Sequence, residues 1–270
     1  MALRQTRTPT PPRRAPALLR PALAALAVVF TLITLSTLSA CEERPPPARG
    51  FVPRYEEPDA ADRDSAGFLK RRRLSETVTA DLNAYVDVPH RVVVVARSCA
   101  GEGSGYDPVA RRIELCYDDL AEDRALFEAA DGRPADEPLA GVVRETLYHE
   151  AGHALIDALG LPDEGDRAEE DAADRFAQLM LLRGDAPQGE EALLAAARAY
   201  DLAAAADPEP DPSDEHAPSA ARAESHRCAV YGATPAHHPT LAAPSRTHCP
   251  ATWPAARDAW IRDLDRLLRR

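Results

Sequence analysis

The run TLYHEAGHALIDALG, Thr146 to Gly160, constrains this chain more than any other stretch. It is apolar enough to be buried, yet it carries His149, Glu150 and His153. Four residues make roughly one helical turn, so on a helix the two imidazoles point the same way. Buried histidines need partners, and two nitrogens so placed can hold one metal ion. Glu150 lies on the flank of that face, where a carboxylate can take a proton from an attacking water. Pro138 suits a first turn, Gly160 suits a C-terminal cap and Pro162 prevents continuation, so the pattern predicts a helix over 138–159.

A catalytic zinc needs a third protein ligand and an open fourth position. A second helix is predicted from about Asp166 to Arg183. Its apolar stripe is Ala173, Phe176, Ala177, Met180 and Leu181, at helical spacing. Extended backwards, the stripe takes in Glu170 and Asp174. A carboxylate on a core-facing stripe is costly unless it is paired or bound to metal. Glu170 is therefore the expected third ligand of one zinc ion per chain. Asp174, one turn on, is placed to accept a hydrogen bond from the far nitrogen of a zinc-bound histidine, His149 for preference. Asp166 and Glu169 resemble a capping box, which assigns Glu169 to the helix start.

The two ends of the chain carry different signals. Residues 1–40 hold Arg4, Arg7, Arg13, Arg14 and Arg20, no acidic residue, and an uncharged run from Ala22 to Leu38. That is the form of a secretory signal. Leu38-Ser39-Ala40-Cys41 has the look of a bacterial lipoprotein box, with cleavage before Cys41 and a lipid attached to it. An uncleaved membrane anchor is the alternative. Both export the rest of the chain to the cell envelope, facing the periplasm or the outer surface. Residues 41–64, with five prolines and many charges, read as a tether. The folded domain is then 65–270. Its formal charge is acidic: −12 for the full chain, −17 once the five arginines are removed. That surface excludes nucleic acid as a partner, since phosphate binding needs basic patches.

Composition points to helices: 45% of residues are hydrophobic but only 5% aromatic, with alanine supplying much of the apolar count. Two short strands are expected, Arg91 to Ala96 and Arg111 to Asp118, separated by the turn-rich CAGEGSGYDP. Further helices are predicted over about 68–86, 189–205 and 253–268, with Ala206 to Ala221 a loop. In an oxidising compartment Cys99, Cys116, Cys228 and Cys249 are expected to pair. Sequence permits three pairings, of which Cys99–Cys116 with Cys228–Cys249 is the simplest. A four-cysteine zinc site lacks the close Cys-x-x-Cys it would need.

HEAGH followed by a helix carrying EDAAD resembles the gluzincin zinc peptidases, which pair H-E-x-x-H with E-x-x-x-D. From about Leu74 to Trp260 the chain also resembles a family of uncharacterised bacterial metallopeptidase-like proteins. The match is carried by Cys99, YDP, IELCYD, HEAGHALID, EEDAAD, DEH at Asp214 to His216, Arg222, CAVYG at Cys228 to Gly232 and the later HCP. It departs from the family at EGSGY and in the more polar stretch before Cys228. The resemblance implies that His216, oriented by Asp214, steadies the oxyanion of a tetrahedral intermediate. His226, His237, His238 and His248, in the disulfide-bearing C-terminal part, are weaker candidates expected mostly at the surface, and Tyr200 on the third helix is a donor candidate without specific support.

The expectation is an α+β, mainly α, zincin-like domain with a small β unit, stapled by disulfides. It would be a lipid-anchored zinc metallopeptidase that hydrolyses peptide or protein substrates with Glu150 as general base. The alternative is a catalytically inactive, peptidase-like protein that binds an envelope component.

Overall fold

Four valines in a row, Val92 to Val95, cannot face water on both sides, and they form the centre of a sheet. In the computed structural model, which describes residues 49–132, 134–184, 187–209 and 211–269, strand β2 (Arg91–Arg97) lies between β1 (Gly50–Tyr55) and β4 (Arg112–Cys116). Both neighbours run parallel to it, with Phe51 opposite Val92 and Ile113 opposite Val94. The short β3 (Gly105–Asp107) runs antiparallel to β4 at the far edge.

β1 takes 50–55 out of the tether assigned to 41–64. Gly50 to Tyr55 pairs along its length, and Phe51 is 1% exposed. Asn83 locks it: its Oδ1 accepts from the Phe51 N–H (2.8 Å) and its Nδ2 donates to the Phe51 carbonyl (2.7 Å). Pro53 does not forbid this, because β1 is an edge strand and an edge can spare an N–H. Helix α1 (Arg63–Arg72) then begins ahead of Ser65, and α2 (Leu74–Tyr85) follows. The single helix expected here is broken at Arg73, whose φ is 53°. The signal segment, Cys41 and the start of the proposed tether lie outside the described residues.

Helix α3 (Tyr117–Asp131) leads to α4 (Asp136–Leu159), α5 (Asp166–Leu182), α6 (Pro187–Ala206), α7 (Ser219–Ala233) and α8 (Cys249–Asp263). α4 is the axis of the molecule. It buries residues on nearly every side, from Leu139 to Leu159, as a helix enclosed by α5, α6 and the sheet must. Gly160 ends it with φ 60°, its N–H bonding the Asp157 carbonyl at 3.0 Å; a left-handed cap of this kind favours glycine. The sequence reading proposed no helix over α3 or α7, and it placed the last helix several residues late. Cys99–Cys116 staples the β2–β4 unit and Cys228–Cys249 joins α7 to α8, the expected pairing. The fold is α+β and mainly helical.

Candidate metal centre

α4 and α5 approach unusually closely at one point. A Cβ added to Gly152 would sit 2.9 Å from the Ala173 Cα, so a glycine there lets the two backbones meet. His149 and His153 flank Gly152 on one helix; Glu169, Glu170 and Asp174 flank Ala173 on the other. Close packing thus brings the two sequence motifs face to face.

The resulting cluster joins the three residues expected as ligands. His149 Nε2 lies 3.2 Å from His153 Nε2 and 3.0 Å from Glu170 Oε2, and His153 Nε2 lies 3.3 Å from Glu170 Oε1. Both far nitrogens are occupied: His149 Nδ1 meets Asp174 Oδ1 at 2.9 Å, and His153 Nδ1 meets Glu169 Oε1 at 2.9 Å. Ionised carboxylates only accept, so each Nδ1 carries the hydrogen. In the neutral rings both Nε2 atoms then point lone pairs at one another and at a carboxylate. Glu170 Oε2, buried, makes no well-formed hydrogen bond. Such a set of convergent acceptors calls for a cation. Ligand atoms about 2.0–2.2 Å from a tetrahedral zinc are about 3.3–3.6 Å apart, a little wider than the spacing found. The residues present fit a metal ion.

Electrostatics point the same way. Burial disfavours a charged His149, but Asp174 and Glu170 outweigh it and push its pKa up to about 10. A proton and a metal compete for those lone pairs. Glu170, despite its burial, is held far below the usual carboxylate range by His149, His153 and His216. Asp174 is also buried and also held low, by the Arg222 guanidinium and by His149. Arg222 grips it with Nη2 to Oδ1 at 2.7 Å and Nε to Oδ2 at 3.1 Å. Glu150 behaves oppositely: burial raises its pKa above that of an ordinary glutamate, though His149 and His153 oppose this.

The cluster floors a cleft of about 530 Å³ lined by His149, Glu150, His153, Glu170, Tyr106 and His216, among others. His216 sits in the loop between α6 and α7. Its Nε2 is 2.9 Å from Glu170 Oε2, and Asp214 Oδ1 accepts from its backbone N–H (2.8 Å) and lies 3.2 Å from its Nδ1. Arg167 fastens the loop by donating to the Asp214 and Glu215 carbonyls, both at 2.7 Å.

A family model described as "putative metallopeptidase" matches residues 55–264. The chain belongs to this family. No curated protein and no solved structure matches it. Membership implies a metal and a peptidase, and the cluster above supplies a ligand set for one.

Two residues of the site, Glu169 and His226, lie otherwise than the sequence predicts, and two more, Arg222 and Tyr200, take places it leaves open. Glu169 does not cap its helix. Gly165 is the N-cap and makes no side-chain cap bond; Glu169 reaches across to His153 instead. Arg222, singled out only by resemblance, is the anchor of Asp174. His226 is not at the surface but 0% exposed, held by Gln178 and Glu145. Tyr200 lies under the Arg222 guanidinium, 4.4 Å from its ring centroid, and does not line the cleft. The apolar stripe of α5, carried back from Ala173 and Phe176, falls on Glu169 as well as Glu170, but nothing local foretells His226.

Proposed function

We propose that this protein is an exported, lipid-anchored zinc metallopeptidase of gluzincin type. The observation that carries this is the convergence of His149, His153 and Glu170 beside the buried carboxylate of Glu150, which has no hydrogen-bond partner among the described residues. Two imidazoles and a carboxylate suit zinc. When bound, zinc polarises the scissile carbonyl and makes an attacking water more acidic. Glu150 would take a proton from that water and deliver it to the leaving amine; burial, which raises its pKa, favours holding that proton between the two steps. His216, held by Asp214, donates to the carbonyl oxygen as charge builds there. Asp174 and Glu169 fix the two imidazole planes and keep their hydrogens on Nδ1.

The supporting test has two parts. Metal analysis of purified protein should give one zinc per chain, and His153→Ala should lose it. A broad peptide library should then be cleaved by wild type and left intact by Glu150→Gln. Zinc bound, no cleavage by either, and recovery of the same envelope partner would favour the inactive binding protein instead. For the anchor, the support is the Leu38-to-Cys41 motif after an apolar run. Mass spectrometry of the mature N-terminus should find a lipid-modified Cys41, and an intact Met1 would refute it.

A further inference from the structure

The walls of the cleft carry charge that the chemistry does not use. Besides the cluster, Asp157, Asp163, Asp166 and Glu215 line it, and no lysine or arginine does among the described residues. All four are exposed. Asp157 accepts from the Tyr106 hydroxyl (2.8 Å) and Asp163 from the Gly165 N–H (2.8 Å). Arg167, next to Asp166, keeps its charge but is not among the lining residues; its guanidinium is turned onto the Asp214 and Glu215 carbonyls. At the floor, Glu150 is 7% exposed and its carboxylate hydrogen-bonds to no described residue. Away from the histidine cluster the charged residues of the walls are all acidic, and walls of one sign gather the opposite ion.

We propose that the cleft selects peptide segments carrying lysine or arginine beside the scissile bond, with Asp163, Asp166 and Glu215 receiving the ammonium or guanidinium. This rests on the peptidase reading for what happens after binding, not for the binding itself. Exposed pairs are individually weak, about 0.2–1 kcal/mol, so selectivity comes from several acting together.

The test is fluorescence anisotropy on the Glu150→Gln protein, using N-acetylated, C-amidated peptides that share a neutral core flanked by Lys, Gln or Glu. The Lys peptide should bind about three- to tenfold more tightly than the Gln peptide, and the Glu peptide least. The gap should shrink between about 0.05 and 0.5 M salt. Asp163→Asn with Asp166→Asn should remove most of it. Asparagine keeps the side-chain oxygen that closes the Gly165 turn, so the loop survives. Glu122→Gln with Asp263→Asn, exposed acids outside the cleft, should leave the gap intact. Equal binding of the three peptides overturns the proposal. So does a gap that the outer pair abolishes, which would mean net charge alone. If the Lys peptide is preferred yet wild type cleaves nothing, the peptidase reading fails and the selectivity stands.

Discussion

Two groups of glutamate and histidine begin on α4 one turn apart, at Glu145 and at His149, and they differ in what they leave unsatisfied. In the interior group, Gln178 Nε2 donates to His226 Nδ1 (3.0 Å) and to Ser225 Oγ (3.0 Å), and His226 Nε2 donates to Glu145 Oε1 (3.0 Å). Donors meet acceptors along the whole chain, and Glu145 and His226 are 1% and 0% exposed. In the cleft group both imidazoles spend their hydrogens on Asp174 and Glu169, and acceptors are left facing acceptors. The same residue types make a strut in one place and a receptor for a cation in the other. What separates them is the balance of donors and the open side, not composition.

The largest test of this division is catalytic. Glu150→Gln keeps size and polarity but cannot take a proton, so peptide turnover should fall about 10²–10⁴-fold with metal still bound. Glu145→Gln, on the same helix, should leave turnover nearly unchanged. His216→Ala should cost comparably to or less than Glu150→Gln, about 10²–10³ for one oxyanion donor. Steady-state kinetics alongside metal analysis checks all three. If Glu145→Gln were as damaging as Glu150→Gln, the interior group would belong to the reaction and the contrast would collapse.

Next in size is the stability of the strut. His226→Ala removes the one hydrogen-bond donor to buried Glu145 among the described residues, and breaking a buried pair by taking away one partner costs about 3–5 kcal/mol. For a domain of this size the melting temperature should drop by roughly 10 °C, with metal content unaltered. His153→Ala should do the reverse, emptying the site of metal. Thermal unfolding and metal analysis on the same preparations separate the two. A His226→Ala protein that melts normally would mean water reaches Glu145.

How legible each group was in the sequence follows from the range of its interactions. His149, Glu150 and His153 are readable because helix geometry alone sets them side by side. Glu170 and Asp174 are readable because a carboxylate on an apolar stripe breaks a local rule. The two disulfides close short loops, so proximity along the chain sufficed. β1 was not readable: its partner β2 begins some 40 residues on, and Pro53 and the flanking charges look like linker until an edge strand excuses them. α7 mixes polar and small residues, and only its packing against α6 and α8 makes it a helix that buries Ala223, His226 and Val230. Glu169 satisfied a local capping pattern, yet the distant His153 imidazole won it.

A smaller effect probes how firmly the cleft group is held. Asp174 is buried, gripped by Arg222 and bonded to His149, whereas the Glu169 side chain that supports His153 is 43% exposed. Asp174→Asn should weaken zinc affinity about 10–100-fold, as changes behind a ligand commonly do. Glu169→Gln should weaken it less, because solvent can replace its contact. Competition with a chromophoric chelator measures both. Equal losses would show that burial of the supporting carboxylate does not matter here.

The smallest effect expected lies beside the strut and asks whether its balance is complete. Asp123, on α3, is partly buried with Asp119, Glu122 and Glu145 near it; burial first, then these carboxylates, push its pKa up to about 7 from an ordinary 3.8. A folded pKa above the unfolded value means the native protein keeps the proton while the unfolded chain has released it. The stability this confers is therefore complete at low pH and is lost as pH rises from about 4 to about 7. Above that window the native state carries an extra carboxylate against Glu145. Asp123→Asn removes the titration but keeps the shape. The variant should match wild type near pH 4 and exceed it near pH 8 by about 1–2 kcal/mol, less than the full shift because the group is partly solvated. Urea unfolding at the two pH values gives the difference directly. If the curves coincide at both, Asp123 is fully hydrated and the interior group ends at Glu145. If the gain appears only at the higher pH, the strut is balanced in its own hydrogen bonds but bears a neighbouring charge, the same excess of acid that distinguishes the cleft.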